Sequence, residues 1–466
     1  MKQADRAKDK EMEDTIAAIS SGMTGSGIGV LRISGPESIK IGDEVVRLKK
    51  GKLSDHPVRT VHFGKVYDGE KEIDEVIAFI LKSPASYTGE DTVEIQGHGG
   101  SFVMKRILET VLSHGARPAE PGEFSKRAFL NGKLDLSQAE AVMDLINSQN
   151  EFARKVSIEQ LSGNVKDCIE SLRHDIVSHI AFIEAALDDP EHITVDGYGE
   201  VLYKSLSSIR SRVTEMIDNY DSGRILSSGI RTVIVGRPNA GKSSLMNLLC
   251  GHDRAIVTDI AGTTRDTLEE EIMLRELSLR LVDTAGIRIT EDIIEGMGVD
   301  RAVNEAENAD LILCVVDSSE ELDSNDERVI RLLEGKRAIV LLNKTDLENK
   351  TTQDDIRKIT PQPVIPFSAK EGWGREELEA CIYDMFISGK IRENRQVTIT
   401  NLRHKKALEN ALSSIELVMK SIEDGMPEDF YSIDLMDAYR SLGEITGDQV
   451  DDDVIDAIFA NFCLGK

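Results

Sequence analysis

The segment Gly236-Arg-Pro-Asn-Ala-Gly-Lys-Ser243 places two glycines, a lysine and a hydroxyl at the spacing GxxxxGK[ST]. That spacing suits phosphate chemistry. The glycines let backbone N–H groups wrap an anion, the lysine meets the β and γ phosphates, and the hydroxyl can ligate Mg²⁺. Further groups follow in order along the chain. Gly262-Thr-Thr-Arg-Asp266 supplies Thr264 as a second hydroxyl for Mg²⁺, with Thr258–Thr264 as a switch keyed to the γ-phosphate. Asp283-Thr-Ala-Gly286 ends an apolar run, with Asp283 placed to act on Mg²⁺ through water and Gly286 to offer its N–H to the γ-phosphate. Asn343-Lys-Thr-Asp346 offers a carboxylate to the N1–H and N2 amine of guanine, which adenine cannot match, and Ser368-Ala-Lys370 supports the base. The candidate GTP-binding set is therefore Asn239, Ala240, Gly241, Lys242, Ser243, Ser244, Thr258, Asp259, Ile260, Ala261, Gly262, Thr263, Thr264, Asp283, Thr284, Ala285, Gly286, Asn343, Lys344, Thr345, Asp346, Ser368, Ala369 and Lys370. Ile287 stands where many GTPases carry a water-orienting Gln. An apolar side chain cannot orient water, so help must come from elsewhere, and Glu291, Asp292 and Glu295 are acidic candidates downstream.

These groups need strands and helices to hold them. Thr232-Val-Ile-Val235 reads as a strand before the phosphate loop and Ser244-Leu-Met-Asn-Leu-Leu249 as a helix after it, the context the motif requires. Strands and helices alternate over 229–385. Upstream, GIGVLRISG, VRTVHFGKVY, EVIAFILK and DTVEIQGHGG read as strands, with a helix near 101–114. Two helical runs flank the α/β unit. Val165, Ile169, Leu172, Ile176, Ile180, Ile183 and Leu187 share one helix face, as do Leu202, Leu206, Ile209, Val213 and Ile217, then Leu408, Leu412, Ile415, Val418 and Ile422. The expected fold is an α+β N-terminal domain, an all-α helical domain, and an inserted α/β P-loop GTPase (G) domain. The boundaries are 1–13 as a disordered extension, 14–125 as the α+β domain, 126–224 as the first helical segment, 225–388 as the G domain and 389–466 as the second helical segment.

The chain has 466 residues and a net charge of −27. An acidic surface repels phosphate backbones and disfavours non-specific nucleic-acid binding. Lys126-Arg127 and Arg403-His404-Lys405-Lys406 are the candidate local basic patches, each read alone as solvated helix surface. Five widely spaced cysteines with no CxxC fit a reducing cytoplasm and exclude a cysteine zinc site. Cys314, in LILCVV, reads as a core thiol. The charged N-terminus has no apolar core of a secretory signal, and no membrane span is expected.

GRPNAGKSS and DIAGTTRD resemble the potassium-activated GTPases. GIGVLRISG, YTGEDTVEIQGHGG, RPAEPGEFSKRAFLNGKLDLSQAEAV and the terminal CLGK narrow the resemblance to the tRNA modification GTPase family MnmE (TrmE), over nearly everything from Asp14 to Lys466. That resemblance implies a K⁺-activated, dimerisation-dependent GTPase in the cytoplasm. With the flavin-containing partner MnmG, as a heterotetramer, it would add a carboxymethylaminomethyl- or aminomethyl-type group to C5 of the wobble uridine of certain tRNAs. It implies an N-terminal domain that forms the homodimer and binds a tetrahydrofolate derivative, 5-formyl- or methylene-tetrahydrofolate, through Arg32, Glu94, Lys133 and Lys466. It implies K⁺ on Asn239, Thr258, Ile260 and Thr263, Mg²⁺ on Ser243 and Thr264, and Glu295 as the catalytic residue. Cys463 matches the family's C-terminal cysteine. The chain departs from the family pattern at Ser20–Gly25, at Leu464 and at Leu187-Asp-Asp-Pro190, all of which bear on fine detail of the folate pocket or on loops. Two other readings compete: a ribosome-assembly GTPase switch without modification chemistry, and a one-carbon transferase with a regulatory G domain.

Overall fold

Alternation of apolar and polar residues is what places the N-terminal strands. In β2 (Ile28–Ser34) Gly29, Leu31 and Ile33 point inward, while Val30 and Arg32 are only half-buried. β6 (Thr92–His98) repeats the pattern with Val93 and Ile95 inward and Glu94 and Gln96 on the other face. The computed structural model describes residues 14–22, 26–189, 191–194, 197–252, 269–274, 277–282, 309–331, 333–386, 397–448, 450–463 and 465. They divide into two compact units, one of residues up to 143, 160–194 and 428–466, the other of 144–159 and 195–427.

The first unit contains a seven-stranded sheet in the order β3-β4-β5-β6-β2-β1-β7. The remaining strands are β1 (Ile16–Ile19), β3 (Val46–Leu48), β4 (His62–Asp68), β5 (Lys71–Leu81) and β7 (Arg117–Pro118). Pairing is antiparallel except between β1 and β7. α1 (Ser38–Val45) and α2 (Ser101–Ser113) cover one face and bury Ile41, Val45, Met104, Ile107 and Val111 against Leu31, Ile33, Val76, Val93 and Ile95. At Gly29 a Cβ would lie 2.4 Å from Met104 Sδ, so the helix approaches as closely as glycine permits. The expected strands and the helix near 101–114 are present. β1, β3 and β7 are not announced by the sequence, because each is short and β1, with the run IAAI, is half alanine.

Helices α3 (Glu123–Leu130), α4 (Leu136–Ile146) and α14 (Asp452–Phe459) build a small aromatic core in the same unit, where Phe459 lies 4.9 Å from Phe462 and 6.2 Å from Phe129 between ring centres. α6 (Asn164–Asp188) packs on α13 (Asp429–Thr446), with Arg173 paired to Asp448 and stacked on Tyr439. Of the expected α6 stripe, Val165 to Ile183 are buried, but Leu187 is 52% exposed in the last turn, which nothing covers among the described residues of this unit. The C-terminal segment returns to the sheet: a Cβ on Gly122 would lie 2.4 Å from Phe459 O, and one on Gly465 would lie 2.4 Å from Ile19 O.

The second unit holds a six-stranded sheet in the order β13-β12-β11-β8-β10-β9. β8 (Ile230–Val235), β10 (Leu277–Val282), β11 (Leu311–Asp317), β12 (Ala338–Asn343) and β13 (Val364–Pro366) are parallel, and β9 (Glu269–Leu274) is an antiparallel edge. Both faces are covered, which is why these strands read as unbroken apolar runs. On one side Leu279, Leu313 and Leu341 meet α8 (Lys242–His252) and α11 (Arg375–Phe386). On the other, Val233, Cys314 and Val340 meet α9 (Ser324–Arg331) and α10 (Gln353–Arg357). Cys314 is a core thiol, pushed up to about 12 by burial. Also in this unit are residues 151–159 of α5 (Glu151–Leu161) and the pair α7 (Tyr198–Ser228) and α12 (Leu402–Glu423), joined by Tyr203 donating to Glu423 and by Lys405 over the Tyr220 ring. The α7 stripe passes through Met216 and Tyr220 instead of Ile217, and that of α12 through Ala411 instead of Leu412, as 3.6 residues per turn drift against fixed spacing. Among the described residues no helix is long and apolar enough to cross a membrane.

The basic pairs are absorbed by this packing. Arg127, 2% exposed, reaches Asp14, Glu90 and Glu123, while Arg117 reaches the first and last of these. Lys126 pairs with Asp456, and Lys405 with Asp221 and Glu409. Burial alone would raise the Glu123 carboxyl, but the hydrogen bonds from Arg117 and the Glu120 N–H and the charges of Arg127 and Arg117 together outweigh it and hold it below the usual glutamate range. A lowered carboxylate stabilises the fold above its unfolded value, and that contribution is lost as pH falls through the lowered one. Arg127→Met strands Glu90 and leaves Asp14 and Glu123 with Arg117 alone, and is expected to cost about 3–5 kcal/mol in chemical denaturation. A cost below about 1 kcal/mol would mean that water already solvates the cluster.

Candidate nucleotide-binding site

β8 is central in the second sheet, and its C-terminal end delivers the phosphate loop. Gly236 leaves the strand at φ +148° so close to β11 that a Cβ would lie 2.3 Å from Val315 O. Asn239 sits in the left-handed region at φ +63°, unusual for a residue with a side chain. Gly241 follows at φ +106°, where a Cβ would meet Asn343 Nδ2 at 2.0 Å. α8 then opens with Lys242, and Leu245 N donates to Gly241 O at 2.9 Å. Lys242 Nζ donates to Gly236 O at 2.7 Å and Arg237 O at 2.6 Å, which curls the loop around its own ammonium. Burial lowers the Lys242 pKa, so an arriving polyphosphate would favour the charged form that desolvation disfavours. Ser243 and Ser244 stand exposed at the helix N-terminus, where unsatisfied N–H groups attract anions.

The base loop grows from the ends of β12 and β13. Asn343 is 2% exposed, and its carboxamide spans two motifs. Nδ2 donates to Ala240 O at 2.8 Å and Oδ1 accepts from Ala369 N at 2.9 Å. Lys344 is left-handed at φ +64°. Thr345 holds Phe367 O through its N–H at 3.1 Å and its hydroxyl at 2.9 Å. Ser368 Oγ donates to Asp346 Oδ1 at 2.7 Å, which orients that carboxylate. The turn after it closes with Ser368 N donating to Trp373 O, and Lys370 is left exposed beside Glu371.

The residues expected at 239–244, 343–346 and 368–370 are thus gathered at the C-terminal ends of β8, β12 and β13. Thr258, Asp259, Ile260, Ala261, Gly262, Thr263, Thr264, Asp283, Thr284, Ala285, Gly286 and Glu295 lie outside the described residues, as do Ile287, Glu291, Asp292 and Lys466. Sequence reasoning missed Arg237, whose guanidinium reaches Glu320, Asp323 and Asp326, and Asp317, which pairs with Lys344. A signal for Asp317 existed: it closes the unbroken apolar run LILCVV.

A second constellation lies in the first unit. Arg32 and Glu94 face each other across β2 and β6, with Arg32 Nε donating to Glu94 Oε1 at 2.9 Å. The guanidinium centre lies 5.1 Å from the Tyr87 ring centre and 5.5 Å from that of Phe124, and Nη1 is buried with no partner. Lys133 reaches the loop that carries Tyr87, donating to Pro84 O at 3.0 Å. Cys463 is exposed, and its carbonyl accepts from Gly122 N.

Two family models match the chain: the GTP-binding protein TrmE N-terminus over residues 15–133 and the MnmE helical domain over 136–463. The chain is similar to proteins named tRNA modification GTPase MnmE. That of Lachnoclostridium phytofermentans is 50% identical over 455 residues, 97% of this chain and 99% of that protein. That of Acetivibrio thermocellus is 43% identical, covering 97% and 99%, and that of Clostridioides difficile 43%, covering 98% and 100%.

Gly241→Ala forces a Cβ onto the Asn343 amide. It is expected to weaken binding of a fluorescent guanine nucleotide by about two orders of magnitude. An unchanged affinity by titration would show that the contact between the phosphate loop and Asn343 is dispensable.

Proposed function

The chain belongs to the MnmE family of tRNA modification GTPases and is a GTP hydrolase, and from that premise we propose how its hydrolysis is activated and what it serves. It acts on tRNA. As a homodimer, and with the flavin-containing partner MnmG, it adds a carboxymethylaminomethyl- or aminomethyl-type group to C5 of the wobble uridine. The domain division is 14–125, 126–224, 225–388 and 389–466, with the G domain inserted in the helical one.

The observation that carries the nucleotide reading is the Asn343 carboxamide, which ties the phosphate loop to the base loop. In this reading Asp346, held by Ser368, selects guanine. Ser243 and Thr264 hold Mg²⁺, whose chemistry is to neutralise charge on the β and γ phosphates. Asn239 is exposed and its backbone is fixed at positive φ, which suits an amide oxygen offered to a hard monovalent cation. It shares K⁺ with Thr258, Ile260 and Thr263, and that charge replaces an arginine finger. Glu295 orients water in place of the missing Gln. Arg32, Glu94, Lys133 and Lys466 hold the tetrahydrofolate derivative. The orphaned Arg32 Nη1 fits a carboxylate or ring carbonyl, and Tyr87 and Phe124 offer flat apolar surface.

Nucleoside analysis of tRNA from cells lacking this chain is expected to show loss of the C5 substituent on wobble uridine, and unchanged nucleosides would sink the proposal. GTP turnover is expected to rise at least about tenfold, some 1.4 kcal/mol of barrier, when K⁺ replaces Na⁺. Equal rates would reject the K⁺ role of Asn239. Glu295→Ala is expected to cut turnover with GTP affinity retained, and a parallel loss of both would place Glu295 in binding instead.

A further inference from the structure

The segment from Asp317 to Asp326 belongs to none of the nucleotide motifs, yet it grips two of them. At its start, Asp317 Oδ2 accepts from Lys344 Nζ at 2.5 Å, and Asp317 Oδ1 accepts from Ser319 N at 2.9 Å and Ser319 Oγ at 2.6 Å. Asp317 is mostly shielded, with its side chain 11% exposed. Burial alone would raise its carboxyl, and the hydrogen bonds from Lys344 and Ser319 outweigh burial and hold it below the usual range. The neighbouring backbone is stitched to the base loop as well. Ser318 N donates to Asn343 O at 2.8 Å, and Ser318 O accepts from Lys350 N at 2.7 Å and Thr351 N at 3.1 Å. Lys344 itself is in the left-handed region, which a non-glycine residue keeps only when its surroundings over-determine it.

The far end of the segment holds the phosphate loop. Arg237 Nη1 donates to Asp326 Oδ2 at 2.8 Å, and the same guanidinium lies 3.4 Å from Asp323 Oδ2 and 3.3 Å from Glu320 Oε2. Asp326 is 5% exposed and is anchored in turn by Asp323, whose Oδ1 accepts from Asp326 N at 3.0 Å. Arg237 is the residue just after Gly236, and its own carbonyl is one of the two that Lys242 caps. Movement of Arg237 therefore moves an acceptor of the phosphate-binding lysine.

We propose that Asp317–Asp326 is a brace in which Asp317 positions Lys344 at the base end of the nucleotide and Asp326 positions Arg237 at the phosphate end. The proposal rests on the guanine-nucleotide reading of this site. Asp317 and Asp326 are positioning residues, because each acts through a residue of a nucleotide loop. The two arms have different signatures. The base is common to GDP and GTP, so loss of Asp317 weakens both by the same factor. Loss of Asp326 loosens the phosphate loop and shows in kcat at saturating GTP as well as in affinity.

Double-mutant cycles on the full chain, read by titration of fluorescent GDP and by GTP turnover, test this. Asp317→Asn is expected to weaken GDP and GTP about tenfold, the scale of a charge-assisted hydrogen bond. In the Lys344→Ala background the same change is expected to cost less than about twofold. Asp326→Asn is expected to lower kcat and affinity in the wild-type background and to do neither in Arg237→Ala. Full, additive losses in both backgrounds would overturn the brace. Should Asp317→Asn not fold, Lys344→Gln breaks the same pair from the other side, and an unchanged GDP affinity there would also overturn it. Asp346→Asn, which should move preference from guanine to xanthine nucleotides, checks the underlying site separately. If it does not, the guanine reading fails, whatever the cycles show.

Discussion

One buried carboxamide holds the nucleotide end of the second unit together. Asn343 sits at the last residue of β12, and its two polar atoms are spent on two loops that come from other strands. A buried amide with both ends satisfied is stabilising, whereas one left with an unpaired end would cost about 1–3 kcal/mol. The loops it joins cannot be adjusted independently. Ala240 cannot shift without exposing the amide donor, nor Ala369 without exposing the acceptor. The glycine at 241 follows from the same contact, since the amide occupies the space a side chain would need. The strand order β13-β12-β11-β8 sets those ends side by side, so the phosphate and base loops are products of one sheet register.

Much of this could be read from sequence because buried parallel strands are unbroken apolar runs with polar residues at their C-terminal ends. LILCVVD, AIVLLN and RTVIV each announce a strand and a loop. What stayed hidden depends on contacts between distant segments. Nothing local marks Asp317 as the partner of Lys344, or Arg237 as the partner of Asp326, since 27 and 89 residues separate them. The basic pairs at 126–127 and 405 look like surface until their carboxylates arrive from elsewhere. Helix faces are legible as stripes, but the stripe turns slightly around each helix, so Met216 and Ala411 are buried where their neighbours in sequence are expected.

In the first unit the legible feature is alternation. Arg32 and Glu94 stand on the opposite face of the sheet from the core because each is flanked by inward-pointing residues on its own strand. Their direct pairing reflects register, with Arg32 opposite Glu94. The aromatic walls beside them cannot be read that way, because Tyr87 and Phe124 come from a loop and a helix well separated in sequence. The small cluster of Ile16, Ala18, Ala119 and Phe124 backs this corner, so β1, the strand that alternation fails to announce, helps to build it.

The return of the chain's end to its beginning bears on synthesis. Gly122 lies against Phe459, and Gly465 against Ile19. About 340 residues are therefore translated between the emergence of α3 and the arrival of the residues that close over it, roughly 20–70 s at about 5–20 residues per second. The second unit is interrupted less: its sheet and nucleotide loops lie within 230–386 and can form while the ribosome is still at work. The first unit, begun earliest, is completed last. Its half-built sheet must wait, still lacking this cover, until residues 452–465 have left the ribosome.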